Sequence, residues 1–455
     1  MAPIYSSITY GQAKQELANR LYDSTKQFWS DAELGLYLIE SLRTWNALTA
    51  FWRNDFTFPS QPGVTWYDLT DSTNLPNTLR PYTVLTPDLY TLIQYHLLEP
   101  PTGLLPWIGS TQFSLANLQA AVQRRTEEVI GVTACTQARV TVPAVAGRIV
   151  IPGNTTPPLS SQDAIIDVRR VAYLPAIGSP STLWPEDVWA EQAFAPHYLQ
   201  QPAGTPLTYM LSTQPPLSFD TDRPPGSAGS YELLVTLCAT SLSDPRTLNI
   251  PDDWTHIIKW GALADLLSYE SNAKDSLRAQ YCEQRYRMGL QLLAAAPALL
   301  QMRSNNVPLQ IDAVRSADLY NAAWQAASPG PPATCLQAGL NLIALSPTQN
   351  AGPYSLTATV VQNAPLPVVN GDFLQAAHDE LEAIMNYAQH LASFKLGGSE
   401  FLSTMPLLER FLGQASVFGL RLAEIAEYTS VLYALSHLED AMNPRSTSPP
   451  ETSNG

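Results

Sequence analysis

At 455 residues and 49.8 kDa the chain exceeds one ordinary domain; at roughly 150 residues each it holds about three. A hydrophobic share of 45% excludes wholesale disorder, while 14% charged residues and 38 prolines give the balance of an assembly component whose polar surface is partly covered. With a net charge of −15 and 25 Lys plus Arg spread along the chain, tight nucleic-acid binding through phosphate neutralisation is excluded, although an acidic wall can surround DNA without gripping it.

The first 53 residues read as two helices. Thr9 to Gln12 and Ser30 to Glu33 both fit the S/T-x-x-E/Q capping box, in which side chains satisfy the free amides of a helix start. Behind the second box, Leu34, Leu38, Leu42, Trp45, Leu48 and Trp52 recur at three- and four-residue intervals and predict an amphipathic helix. Trp29 is placed to pack on Leu34 as a hydrophobic staple. Residues 54–86 carry turn signals at Pro59, Pro62-Gly63, Pro76 and Pro81 and read as an irregular hairpin. One further helix starts at Thr86-Pro87 and stops before Pro100-Pro101, and another runs from Ser114 to about Ile130.

From Val132 to Val171 the pattern turns to β. Val140 and Val142 alternate, Ala146-Gly147 marks a turn, and the runs RIVIP and AIIDVRRV read as strands. The β-and-loop stretch reaches Leu237, where Tyr231, Leu233, Val235 and Leu237 share one strand face. Pro251 and Asp253 then open a helix with Ile257, Trp260, Ala264 and Leu267 on one side. Leu277, Tyr281, Met288 and Leu292 mark the next, which Pro297 ends.

That order recurs. The runs at 224–233 and 347–356 coincide at Pro224/Pro347, Ala228/Ala351, Gly229/Gly352, Tyr231/Tyr354 and Leu233/Leu356. Upstream, Ile166-Asp167 and Trp189-Ala190 have counterparts in Ile311-Asp312 and Trp324-Gln325-Ala326, and each copy leads into two helices, 251–295 and 372–441. Phe373, Leu381, Ile384, Ala388 and Leu391 stripe the first helix of the last pair; beyond Gly397-Gly398, Phe411, Ala415, Phe418, Leu422, Ile425, Leu432 and Leu435 stripe the second. We read an internal duplication, the rival being chance similarity between two Pro/Gly-flanked hairpins. The expected fold is α+β: an N-terminal and central helical bundle with inserted antiparallel β domains, and a β-plus-helical-hairpin unit duplicated in the C-terminal third. The expected domains are a helical region with an irregular hairpin (1–131), a β domain with a helical hairpin (132–300), a second such unit (305–441) and a flexible tail (442–455). A chain cut after about residue 300 is then expected to keep its first unit folded.

No chemical constellation stands out. The six histidines form no HExxH or other close ligand pair, and Cys135, Cys238, Cys282 and Cys335 form no CxxC, so neither a metal site nor a disulfide framework is expected. GxGxxG, GxxxxGK[ST] and GxSxG are absent. The pairs Asp252-Asp253, Glu127-Glu128 and Glu439-Asp440 suit helix ends and solvated faces better than acid/base catalysis. The sequon at Asn154 reads as a chance match, since no signal segment or run of 18 apolar residues occurs. No catalytic residue, cofactor or metal is therefore expected. Arg169-Arg170 could pin an acidic neighbour across a subunit boundary. Trp66, Trp107, Trp184 and Trp189 lie in Pro-rich segments where no regular element would bury them, which makes them candidate interface anchors.

The opening run ITYGQAKQELANRLYDSTKQFWSDAELGLYLIESLRTW resembles the start of the head-to-tail connector, or adaptor, proteins of tailed bacteriophages. Trp29, Asp31, Glu33, Leu34, Tyr37 and Glu40 stand at the places of that family's W-[ST]-D-x-E-L-x-x-Y-[IL]-x-E helix. A second similar segment has an I-P-x-x-[WFY] turn before a G-A-L-A helix, matched by Ile250, Pro251, Trp254, Gly261, Ala262, Leu263 and Ala264. The resemblance covers residues 1 to about 60 and 245 to 295; the block from about 305 onward is additional. It implies a virion protein without enzymatic activity that forms a ring, typically of twelve copies, beneath the portal, extends the DNA channel and docks tail or neck proteins. It also makes the tail, with Pro444 and Arg445, a candidate arm for the portal. The alternatives are another neck or baseplate component, or a tail-associated glycan-binding protein whose tryptophans line a sugar site.

Overall fold

The computed structural model describes residues 5–72, 74–97, 112–151, 163–212, 217–239, 242, 246–270, 272–297, 299–348 and 354–426. The chain opens with α1 (Tyr10–Arg20), α2 (Asp31–Thr49), β1 (Arg53–Pro59) and β2 (Trp66–Asp68). Then come α3 (Thr86–His96), α4 (Leu115–Thr133), β3 (Gln137–Pro143), β4 (Ile149–Val150), β5 (Asp163–Pro175) and β6 (Ser181–Pro185). These lead to α5 (Val188–Phe194), β7 (Thr208–Ser212), β8 (Ser218–Thr221), β9 (Gly229–Ala239), α6 (Thr255–Ser268) and α7 (Ser276–Ala295). The remainder is β10 (Leu299–Ser304), β11 (Val307–Pro308), β12 (Gln310–Ala313), α8 (Val314–Tyr320), β13 (Thr334–Ala338), β14 (Leu342–Ser346), β15 (Ser355–Val361), α9 (His378–Ser393), α10 (Gly398–Leu402) and α11 (Met405–Ala426). The fold is α+β, and no helix among the described residues is long and apolar enough to cross a membrane.

Local chemistry sets the helix starts. Thr9 and Gln12 complete a capping box on α1, whereas at α2 only half of one forms. Ser30 accepts the amide of Glu33, but the Glu33 carboxylate turns away to Tyr37 (2.7 Å) and Lys395 (2.9 Å), whose ammonium is the stronger partner. The expected hairpin in 54–86 does not form between its own strands. β1 instead pairs antiparallel with β15, and β2 with β14.

That pairing exposes a nested repeat. One seven-stranded sheet runs in the order β3-β9-β5-β6-β7-β8-β4, and the same order recurs in two four-stranded sheets, β1-β15-β10-β11 and β12-β13-β14-β2. β11 and β12 together take the place of β6, interrupted at Leu309, whose amide turns back to Met302 O. The helices correspond as well: α1 with α3 at eleven residues each, α2 with α4 at nineteen, and α5 with α8 at seven. Ala50 and Ala134 end the nineteen-residue helices with φ of 48° and 49°. Thr49 and Thr133 just before them each donate Oγ1 to the carbonyl four residues back. Thr9 bridges Phe373 as Leu85 bridges Thr247. An outer unit, 8–72 with 299–426, thus encloses an inner unit, 84–295, inserted between β2 and β10.

Of the expected boundaries, 131 falls inside α4 and 300 inside β10, and residues 1–131 are not a region apart. They supply the leading helices of both units and strands β1 and β2 of the outer one, and α2 packs on α9 and α11. Register also corrects the residue matching. Val142 pairs with Tyr231 and Phe58 with Leu356, so Leu356 takes the place of Tyr231, two residues from the Tyr231/Tyr354 match; an even shift keeps the same side chains inward. Ile311-Asp312 lies on β12, the counterpart of β6, while Ile166-Asp167 lies on β5. Trp324 opens a 3₁₀ turn that matches the one at Tyr198 rather than Trp189. Leu277, expected on the α7 stripe, is exposed.

Each unit has its own β core, and the helices of both share one large core. Where the units meet in that bundle, polar groups are buried and paired. Lys259, fully buried, meets Glu40 and His96, Asn46 donates to Asp253 (2.6 Å), and Arg285 donates to the Tyr387 hydroxyl (2.8 Å). Burial pulls the Lys259 ammonium down to about 8 despite Glu40 and pushes the Asp253 carboxyl up to about 6. Burial holds the His256 and His390 imidazoles near 3, and His96 is lowered too.

Two outcomes are expected. Unfolded imidazoles take up protons below about 6.5, whereas folded His256 and His390 do so only near 3 and His96 is shifted in the same direction, so stability falls as pH drops below about 6.5, by up to about 1.4 kcal/mol per pH unit for each histidine. Asp253 opposes this below about 6, one group against three. Urea unfolding should show lower stability at pH 5 than at pH 7, with the gap narrowed in His390→Gln; equal stability would count against the buried neutral histidines. A chain cut after residue 300 leaves β1 and β2 without partners, so limited proteolysis should remove 5–72 and spare 84–295. Equal resistance of the two segments contradicts the nesting.

Candidate docking surface

The sheet ends of the two units meet at a buried charge cluster. Arg170 on β5 reaches across to Asp318 on α8 with two bonds (2.8 and 3.1 Å) and also donates to Glu232, Thr182 and Gln325. Trp324 Nε1 and Thr182 Oγ1 add to Asp318, and Gln325 Nε2 to Glu232. Both carboxylates and the guanidinium are nearly inaccessible, so full hydrogen bonding is what offsets their desolvation. Around them Trp66, Val314, Trp324, Leu336, Ala338 and Ala344 of the outer unit close on Leu234 of the inner unit.

The inner unit carries the same architecture, left open. A cleft of about 680 Å³ runs between α5, the 3₁₀ turn at Tyr198 and the sheet, and its lining includes Arg148, Val188, Gln192, Tyr198, Met210 and Asp220. Arg148 and Asp220 pair at 3.3 Å across it. No residue of α5 is buried, whereas Val314 and Asp318 of its counterpart α8 are. α5, which lines the cleft through Val188 and Gln192, also carries Trp189 (79% exposed) and Phe194 (90%), and Trp184 of β6 is 41% exposed. Desolvation, with the neighbouring carboxylates Asp222 and Glu186, raises the Glu191 carboxyl above its ordinary value. Such a cleft suits recognition: Val188, Tyr198 and Met210 offer apolar surface beside the Arg148–Asp220 pair.

The residues proposed from sequence divide accordingly. Trp184, on β6, and Trp189, on α5, are both exposed. Trp66 is buried on β2 against Trp324 (6.1 Å between rings), because β2 pairs with the distant β14 that no local pattern reveals; it is not a free anchor. Arg170 does pin an acidic neighbour, but inside the chain, and it is no outward-facing contact. Arg169 stays half-exposed, paired with Asp167 (3.0 Å) and the Gly131 carbonyl. Trp107, Pro444 and Arg445 lie outside the described residues. Arg148, Tyr198, Met210 and Asp220 escaped sequence reasoning; only their positions in the repeat mark them. A second groove, about 520 Å³, lies between α9, α11 and Trp45 with Asp379, Glu380 and Glu382 on one wall. All four cysteines are buried. No cluster of three or more His, Cys, Asp or Glu side chains fit to hold a metal ion occurs among the described residues.

Comparison of the sequence with models of known protein families and with curated proteins gives no match.

Arg170→Met leaves Asp318 buried without its cation and Glu232 with only Arg139 (3.5 Å), and Asp318→Asn weakens the same cluster from the other unit. Each should lower unfolding free energy in urea by about 3–5 kcal/mol, and the double variant by less than the sum. Additive or negligible effects would contradict a shared buried network.

Proposed function

We propose that the protein is a structural component of a tailed-bacteriophage virion, a head-to-tail connector (adaptor) without enzymatic activity. It forms a ring beneath the portal, with the twelvefold arrangement that the resemblance implies. The ring extends the DNA channel and docks tail or neck proteins. The observation that carries this reading is the open cleft beneath α5, a helix that also exposes Trp189 and Phe194, on a closely packed two-unit body, a surface suited to a protein partner. The segments that resemble connectors support it, since they meet in the bundle: Glu40 and Asn46 of the first pair with Lys259 and Asp253 of the second. A net charge of −15 suits a channel that DNA passes without sticking.

Electron microscopy of the purified chain, alone and mixed with the portal protein of the same genome, tests the reading. The expected result is a closed ring stacked coaxially on the portal. Particles that ignore the portal would overturn it. Saturable binding of glycans, lost in Trp189→Ala, would instead move the assignment to a tail-associated glycan-binding protein.

A further inference from the structure

Within the chain, the two units touch through different surfaces. The outer unit offers its cleft face, built on β2, α8, β13 and β14; the inner unit offers the outward face of β3, β9 and β5, with Arg170, Glu232 and Leu234. A contact of this kind between two similar bodies is head-to-tail, and it leaves one surface of each type unused. The repeat identifies both.

The unused cleft is that of the inner unit. By strand register and helix position, Arg148, Val188, Tyr198, Met210, Ser212 and Asp220 stand where the outer unit has Trp66, Val314, Trp324, Leu336, Ala338 and Ala344. All six of the former line the open cleft, and all six of the latter lie in the closed one. The unused sheet face is that of the outer unit. Thr357, Thr359 and Gln301 take the places of Glu232, Leu234 and Arg170, with Asp55 in that of Arg139. Arg170, Glu232, Leu234 and Ala172 are buried in the inner unit, whereas Gln301, Thr357 and Thr359 are half-buried and Arg303, in the place of Ala172, is exposed.

We propose that the cleft of the inner unit receives the outward sheet face of the outer unit of a second copy of this chain, repeating between chains the contact the two units make within one. The occupant follows from the repeat, because the open cleft and the open face are the two halves of a junction already formed once in each molecule. Charge agrees with it: the cleft presents Arg148 and Asp220, the face Asp55 and Arg303. The polar residues that replace Trp66, Ala344 and Leu234 suit a junction that must also be exposed to water before assembly. Each chain supplies two successive positions, so a closed ring contains half as many chains as units. The proposal deepens the ring reading but does not involve the portal.

Disulfide trapping tests it, since the native cysteines are buried. Ser212→Cys and Thr359→Cys are prepared as separate full-length variants; their counterparts Ala338 and Leu234 share one buried cluster. Under mild oxidation the mixture should yield a chain-to-chain disulfide several-fold more abundant than either variant alone, and Arg303→Glu in the Thr359→Cys chain should reduce it. Sedimentation of the unmodified chain should show species at multiples of 49.8 kDa that grow with concentration. No excess cross-linking in the mixture, equal cross-linking of the single variants, or a purely monomeric chain at every concentration would overturn the proposal. Because the portal is absent, failure here leaves portal binding to be judged separately.

Discussion

The seven residues of β1 find their hydrogen-bond partners some 300 positions away in β15, and the rest of the architecture follows from that pairing. A strand cannot leave its amides and carbonyls unpaired in a packed sheet, so the outer unit is incomplete until the C-terminal half of the chain returns. Everything between β2 and β10 must therefore fold as a body whose ends lie close together. The inner unit meets that demand because it has its own sheet, its own β core and its own helical pair. Loop closure grows only slowly more costly with length, which makes such an insertion thermodynamically tolerable. Long-range pairing does slow folding, and an inner unit that forms first shortens the effective separation.

Insertion alone would leave two bodies on a hinge. The units are instead fastened at two places by different physics. In the helical bundle they share one apolar core with a few buried ionic contacts inside it, where desolvation shifts Lys259, Asp253 and the histidines away from their ordinary titration. At the sheet end a single arginine organises the junction through two carboxylates, a hydroxyl and an amide. Buried ion pairs add little net stability over a hydrophobic replacement, but their geometric demands are strict. In this chain they fix how one unit is turned against the other, and that orientation decides which cleft and which sheet face stay open.

Much of the fold was legible in sequence because it rests on local rules. The stripe from Leu34 to Leu48, the caps at Thr9 and Ser30, the helix start at Ser114 and the alternation from Tyr231 to Val235 mark elements that the structure contains. What could not be read is pairing between distant segments. Nothing in RNDFTFP announces β15 as its partner, so residues 54–86 looked like a hairpin and the N-terminal helices like a region apart. The repeat was visible only where Tyr and Leu sit beside Pro/Gly turns, and there a two-residue slip was undetectable because the inward face is unchanged. Of the docking surface, Trp184 and Trp189 were legible as aromatics outside any predicted core. Trp66 belonged to the same pattern, and the distant strand β14 buries it. The polar lining of the cleft carries no motif, since Arg148 or Asp220 has meaning only beside its buried counterpart in the other unit.

The nested assignment is the claim on which the remainder stands, and native-state hydrogen exchange of the intact chain, read peptide by peptide, tests it most directly. The account requires amides of β1, residues 53–59, to open together with those of β15 and β10 under increasing denaturant, apart from β3, β5 and β9. Exchange of β1 in step with the inner strands and independently of β15 would contradict it.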